Sequence, residues 1–139
     1  MQINDEIKWN NVYSVGIENI DTQHKKLFEI VNRLLSLEIS SNETEEIKII
    51  LYEFSDYMRT HFDDEEIYML SIGYPDIKQH RELHQKLVES LALIINTPAD
   101  INTIKTEMNV LAKQILVNHI VTEDTKIFTY KLSKEYPRT

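Results

Sequence analysis

The chain has 139 residues, the size of one domain with one core, and its 42% hydrophobic and 27% charged residues are ordinary for a globular protein. A formal charge of −8 argues against a nucleic-acid surface or an anionic-membrane anchor, and the absence of cysteine excludes disulfides, thiolate metal sites and a cysteine nucleophile. With two glycines and three prolines, the chain is too sparsely punctuated for many short strands, so a few long helices are expected.

Residues 1–20 lack sustained periodicity, and their apolar anchors (Trp9, Tyr13, Val15, Ile17 and Ile20) predict an extended arm packed across the body. The opening M-Q-I-N-D-E-I-K-W has neither the cationic nor the apolar region of a signal peptide. No apolar run approaches the roughly 20 residues that span a bilayer, so a cytoplasmic protein with no membrane or nucleic-acid partner is expected. Asp21 or Thr22 can cap a first helix whose stripe is His24, Leu27, Phe28, Val31, Leu34 and Leu35. The polar residues 37–43 should break it. A second helix is predicted from about Thr44 to Leu70, with Ile47, Ile50, Leu51, Phe54, Met58, His61, Glu65 and Met69 at period 3.6, and Gly73 and Pro75 ending it.

The third helix starts near Asp76, carries Ile77, His80, His84, Leu87, Leu91 and Ile94 or Ile95, and stops at Asn96-Thr97-Pro98. The fourth runs from about Ile101 through Ile104, Met108, Leu111, Ala112 and Ile115 to His119 and on toward Phe128, leaving a frayed tail over 129–139. Loops of about five to seven residues join consecutive helices antiparallel. The expected fold is therefore all-α: an up-down-up-down four-helix bundle over 21–128, in one domain covering 1–139, as a monomer.

Each histidine taken alone reads first as a core residue. His80 and His84 are less ordinary, because H-x-x-x-H aims two imidazoles from one helical face at one point. The five together (His24, His61, His80, His84 and His119) all fall on apolar stripes, and every helix contributes. They lie early, late, early and late along successive antiparallel helices, which puts them in one layer at one end of the bundle. A metal site follows. Five imidazoles exceed the three or four protein ligands of a single zinc, so two metals bridged by carboxylates are expected.

Glu65, four residues after His61, is one candidate bridge. Asp63, Asp64 and Glu66 fall on other faces and read as a solvated acidic patch. Near His119 the choice lies between Glu123 at i+4 and Asp124 at i+5, the latter about 140° round an ideal helix. Spacing alone narrowly favours Glu123.

With W-N-N-V-Y-S-V-G-I-E-N-I-D-T-Q-H from Trp9 to His24, H-F-D-D-E-E from His61, H-R-E-L-H from His80 and H-I-V-T-E-D from His119, the chain resembles the hemerythrin family, specifically its single-domain bacterial members. The resemblance covers nearly the whole chain. It implies a non-haem centre of two iron ions, with His80, His84 and His119 on one iron and His24 and His61 on the other. Glu65 and Asp124 would bridge them beside an oxo or hydroxo group. The family pattern thus selects Asp124 over Glu123, against the spacing argument, and requires a distorted helix or a carboxylate that reaches across. The chain departs from the pattern at Ile115, where many members carry Trp, a change on the expected pocket lining.

The implied function is reversible dioxygen binding at the open position of the two-histidine iron, each iron giving one electron. Phe28, Phe54, Leu87, Ile115 and Leu116 could wall a dry pocket, and they are equally good core. The competing reading, a di-iron oxygen- or peroxide-processing enzyme, would normally call for four carboxylates and two E-x-x-H motifs. No Glu stands three before any histidine, and Asp21, at that spacing from His24, reads better as a cap. A sensor acting through a separate partner ranks below both.

Overall fold

The computed structural model describes residues 8–37 and 43–135, with the backbone alone at 43 and 44. Parts of the expected arm (1–7), the first break (38–42) and the tail (136–139) lie outside the described residues. The described residues hold no strand. Four long rods pack as an antiparallel bundle: α1 (Glu18–Leu35), α2 (Glu43–Ser71), α3 (Ile77–Asn96), and a fourth built from α4 (Ile101–Ala112), a π-helical stretch Lys113–Asp124 and α5 (Thr125–Glu135). Each rod packs on the next and the fourth on the first, as short connections require. Among the described residues, no helix is long and apolar enough to cross a membrane.

The stripes read from the sequence are the buried faces. Leu27, Phe28, Val31, Leu34 and Leu35 of α1 join Ile47, Ile50, Leu51, Phe54 and Met58 of α2, Leu91 of α3, and Met108, Leu111 and Ala112 of α4 in one core. Lys105 is also buried. Its ammonium donates to the carbonyl of Leu37, just past the end of α1.

The entry to α1 differs from expectation. The helix begins at Glu18, and Asp21 caps nothing in it; its carboxylate instead accepts from Ser14 Oγ at 2.5 Å and from the Val15 backbone N–H at 2.8 Å, tying the arm to α1. The arm is also not fully extended. Asn10 accepts from the Val12 N–H (3.0 Å) at the head of a 3₁₀ turn, Asn11–Tyr13, and Trp9 and Tyr13 pack their rings against Phe28.

Gly16 makes the bend between arm and helix at φ +71°, and a Cβ built there would overlap the ring of Phe128. Gly73, at φ +66° after α2, has open space around it. Gly16→Ala is therefore expected to cost about 2 kcal/mol or more, and Gly73→Ala only the backbone strain of about 1 kcal/mol. Urea denaturation of the two variants, with equal m-values, checks the difference.

The fourth rod also outruns its expected end near Phe128 and stays helical to Glu135. Ile127 is buried against Met69 and Tyr74, Tyr130 meets Tyr74 edge-on at 5.6 Å, and Lys131 pairs with Glu135 at 3.1 Å. Those contacts hold a segment whose composition alone suggested fraying.

Candidate metal centre

His24 lies in the second turn of α1, His61 and Glu65 one turn apart late in α2, and His80 and His84 one turn apart early in α3. His119 and Asp124 come from the π-helical stretch. All seven are buried, His119 being the most exposed at 7%. The up-down topology brings them to one end of the bundle.

The π winding settles which acid faces inward. In an α-helix Asp124 would sit about 140° from His119. With i→i+5 hydrogen bonding a turn takes about 4.4 residues, which brings residues five apart from about 140° to within about 50° of each other. Asp124 is accordingly 1% exposed, while Glu123 turns to the surface and pairs with Lys126 at 3.2 Å. The residues flanking the stretch, Ala112 and Thr125, keep ordinary helical angles, so the rod continues unbroken. The spacing argument for Glu123 is thereby corrected: it assumed a period that this segment does not have.

The two carboxylates divide their oxygens. Glu65 Oε1 lies 2.8 Å from His80 Nε2 and 3.0 Å from His84 Nε2, while its Oε2 lies 3.3 Å from His61 Nε2 and 3.6 Å from His24 Nε2. Asp124 Oδ1 lies 3.0 Å from His80 Nε2 and 3.1 Å from His119 Nε2, with Oδ2 3.1 Å from His24 Nε2. Two clusters result, His80–His84–His119 and His24–His61, and each includes both acids. The first cluster also brings His119 Nε2 within 3.2 Å of His80 Nε2.

Several of these atoms have no proper partner among the described residues. Glu65 Oε2, both oxygens of Asp124 and both ring nitrogens of His24 are buried without an aligned hydrogen bond among the described residues. Such groups are costly unless a cation or water satisfies them. Neighbouring ligands at right angles around a cation about 2.1 Å away would stand about 3 Å apart, which is the spacing found here. The donor set of imidazole and carboxylate suits iron, zinc or manganese. The residues fit a pair of metal ions.

Without metal, protons supply the counter-charge. Burial works against ionising Glu65, but His24, His61, His80 and His84 hold its carboxyl well below the usual range. Burial and the charge of Glu65 both oppose ionisation of Asp124, yet His119 and His24 hold it low as well. Burial likewise pushes His24, His61 and His80 down. Asp124 and Glu65 outweigh it at His24, raised to about 9, and at His80, raised to about 10, whereas His61 is left lowered. Two imidazolium protons thus balance two carboxylates.

The outward faces of two rings are held by residues that single-helix reasoning set aside. His61 Nδ1 meets Gln23 Oε1 at 2.7 Å, and the Gln23 amide donates to Asp64 Oδ2 at 2.7 Å. His84 Nδ1 meets Glu66 Oε2 at 2.8 Å, and Glu66 Oε1 accepts from Arg81 Nε at 3.1 Å. Asp64 and Glu66 are therefore not merely solvated acids, though Asp63 is exposed as expected. Their partners lie on other helices, beyond the reach of a one-helix pattern. Phe62, also unremarked in the sequence, stacks on His84 with centroids 3.8 Å apart and planes 5° from parallel. Phe28, Phe54, Ile115 and Leu116 are buried in the main core, with Leu87 packed against it.

Comparison with known proteins agrees with this geometry. Residues 15–130 match the family profile described as the hemerythrin HHE cation binding domain. The chain is 36% identical over 120 residues, 86% of its length and 90% of the relative's, to a bacteriohemerythrin of Campylobacter jejuni subsp. jejuni. It is 30% identical over 125 residues, 90% of this chain and 93% of the other, to a myohemerythrin of Theromyzon tessulatum. A crystal structure of a mutant hemerythrin superposes with a TM-score of 0.76 at 26% identity, covering 89% of this chain and 95% of that one.

Proposed function

The chain belongs to the hemerythrin family, and from that premise we propose that it binds dioxygen reversibly at a non-haem di-iron centre. His80, His84 and His119 would hold one iron and His24 and His61 the other, with Glu65 and Asp124 available to both. The observation that carries this reading is the division of each carboxylate, one oxygen toward each histidine cluster. An iron pair bound there would supply one electron from each metal to dioxygen.

The chain's own residues supply the surroundings. Burial of all seven ligands excludes the water and stray protons that would make oxygen binding irreversible. The set is rich in histidine and holds only two carboxylates, unlike the four-carboxylate centres typical of oxygen-activating bundles. This favours carriage over catalysis.

Protein reduced under argon and then given air should develop ligand-to-metal charge-transfer bands that vanish on deoxygenation. Irreversible bleaching with turnover of substrate or peroxide would replace the carrier with an enzyme. One metal per chain, or zinc in protein purified from its native source, would overturn the di-iron assignment itself.

A further inference from the structure

The two histidine clusters differ in what stands behind them. His84, in the three-histidine cluster, has an anionic carboxylate at its Nδ1: Glu66 Oε2 at 2.8 Å, itself fixed by Arg81. His61, in the two-histidine cluster, has only the neutral Gln23 amide at 2.7 Å. The other member of that cluster, His24, has an Nδ1 buried with no hydrogen-bond partner among the described residues.

A carboxylate accepting the Nδ1 proton draws it off the ring and makes Nε2 a stronger donor to a metal, while fixing ring and tautomer. An amide carbonyl does the second job and little of the first. A ring with no partner gains neither. The inequality in backing therefore runs in the same direction as the inequality in ligand number.

We infer that Glu66 is a positioning residue that makes the centre load in order, the His80–His84–His119 half first and tightly, the His24–His61 half second and exchangeably. The inference rests on the proposed two-metal site and deepens it. Glu66 itself touches no metal position. It is partly exposed and lines a surface cavity of about 430 Å³ together with His84, Arg59 and Arg81, so a change there spares the main core. Ordered loading would leave the exchangeable metal in the half with fewer histidines and hold the other half as a fixed scaffold for the shared carboxylates.

The test is anaerobic titration of the metal-free full-length protein with Co²⁺, followed by calorimetry and by the visible ligand-field bands. The native chain should show two successive events, with one set of bands complete at one equivalent and a second growing only afterwards. Glu66→Gln keeps an acceptor for His84 Nδ1–H but makes it an amide, like Gln23. It should weaken the first event about 10- to 100-fold, leave the second within about twofold, and mix both sets of bands from the first addition. Asp64→Asn, which loosens only the anchor of Gln23, should weaken the second event alone. The inference is overturned if Glu66→Gln leaves the first event unchanged, or weakens both equally. Uptake of fewer than two Co²⁺ by the native chain would instead sink the two-metal reading beneath it.

Discussion

If the centre holds two metals as proposed, Asp124→Ala is expected to take up one where the native chain takes two, and Glu123→Ala to take up both. Asp124 offers an oxygen to each cluster, 3.0 Å from His80 and 3.1 Å from His24, so its removal takes a candidate ligand from both proposed metal positions at once. The two-histidine half, with fewer donors to spare, loses more. Its affinity should fall beyond the 10- to 100-fold that loss of an outer partner alone typically causes. Glu123 contributes only a half-exposed ion pair with Lys126, worth well under 1 kcal/mol. Iron content after gel filtration decides the matter. Loss of iron from the Glu123 variant, with iron retained by the Asp124 variant, would refute the inward placement of Asp124.

The metal-free protein should lose stability as pH rises from about 7 to 10, opposite to the behaviour of a protein held by carboxylates alone. His24 and His80 are raised to about 9 and about 10, against about 6.5 in an unfolded chain. The stability they contribute is fully present below about pH 6.5 and lost as pH climbs through their folded values. Glu65 and Asp124 are shifted down, so their contribution is present above about pH 4 and lost only in strong acid.

Deprotonating His24 and His80 leaves two buried carboxylates close together without counter-charge. We expect a loss of a few kcal/mol, or about 10 °C in Tm, between pH 7 and 10. Bound metal ions replace those protons. The loaded protein should therefore keep a level Tm across pH 7 to 9, and metal uptake near neutral pH should release protons, measurable with an indicator dye. A metal-free Tm that is flat or rising over this range would show that the two imidazoles do not carry the charge.

Much of this centre was legible in the sequence because an α-helix repeats every 3.6 residues and an up-down bundle alternates the ends. Those two facts place His24, His61, Glu65, His80, His84 and His119 together without any coordinates. They fail at Asp124, since five residues is the wrong interval for an α-helix and the right one for the π-helical stretch that the chain forms. The family resemblance selected Asp124 where periodicity did not. Helix ends were less legible. Asp21 looks like a cap for its own helix, but its acceptors serve Ser14 and Val15 before it, a choice decided by the bend at Gly16. Glu66 and Asp64 were invisible for a different reason: what makes them matter is a hydrogen bond from another helix.

The twelve π-helical residues also expose a conflict between local and global preference. Ile115, Val117, Ile120, Val121 and Thr122 are β-branched and only middling α-helix formers, so this segment has a weaker drive toward the α winding than an alanine-rich one would have. The π winding carries Asp124 to the buried side, where it is 1% exposed. Substitutions that raise α-helical propensity along Lys113–Glu123, even at exposed positions far from any ligand, would favour the register that swings Asp124 outward. On the proposed site, a gain in α-helical propensity there and the integrity of the centre would pull in opposite directions.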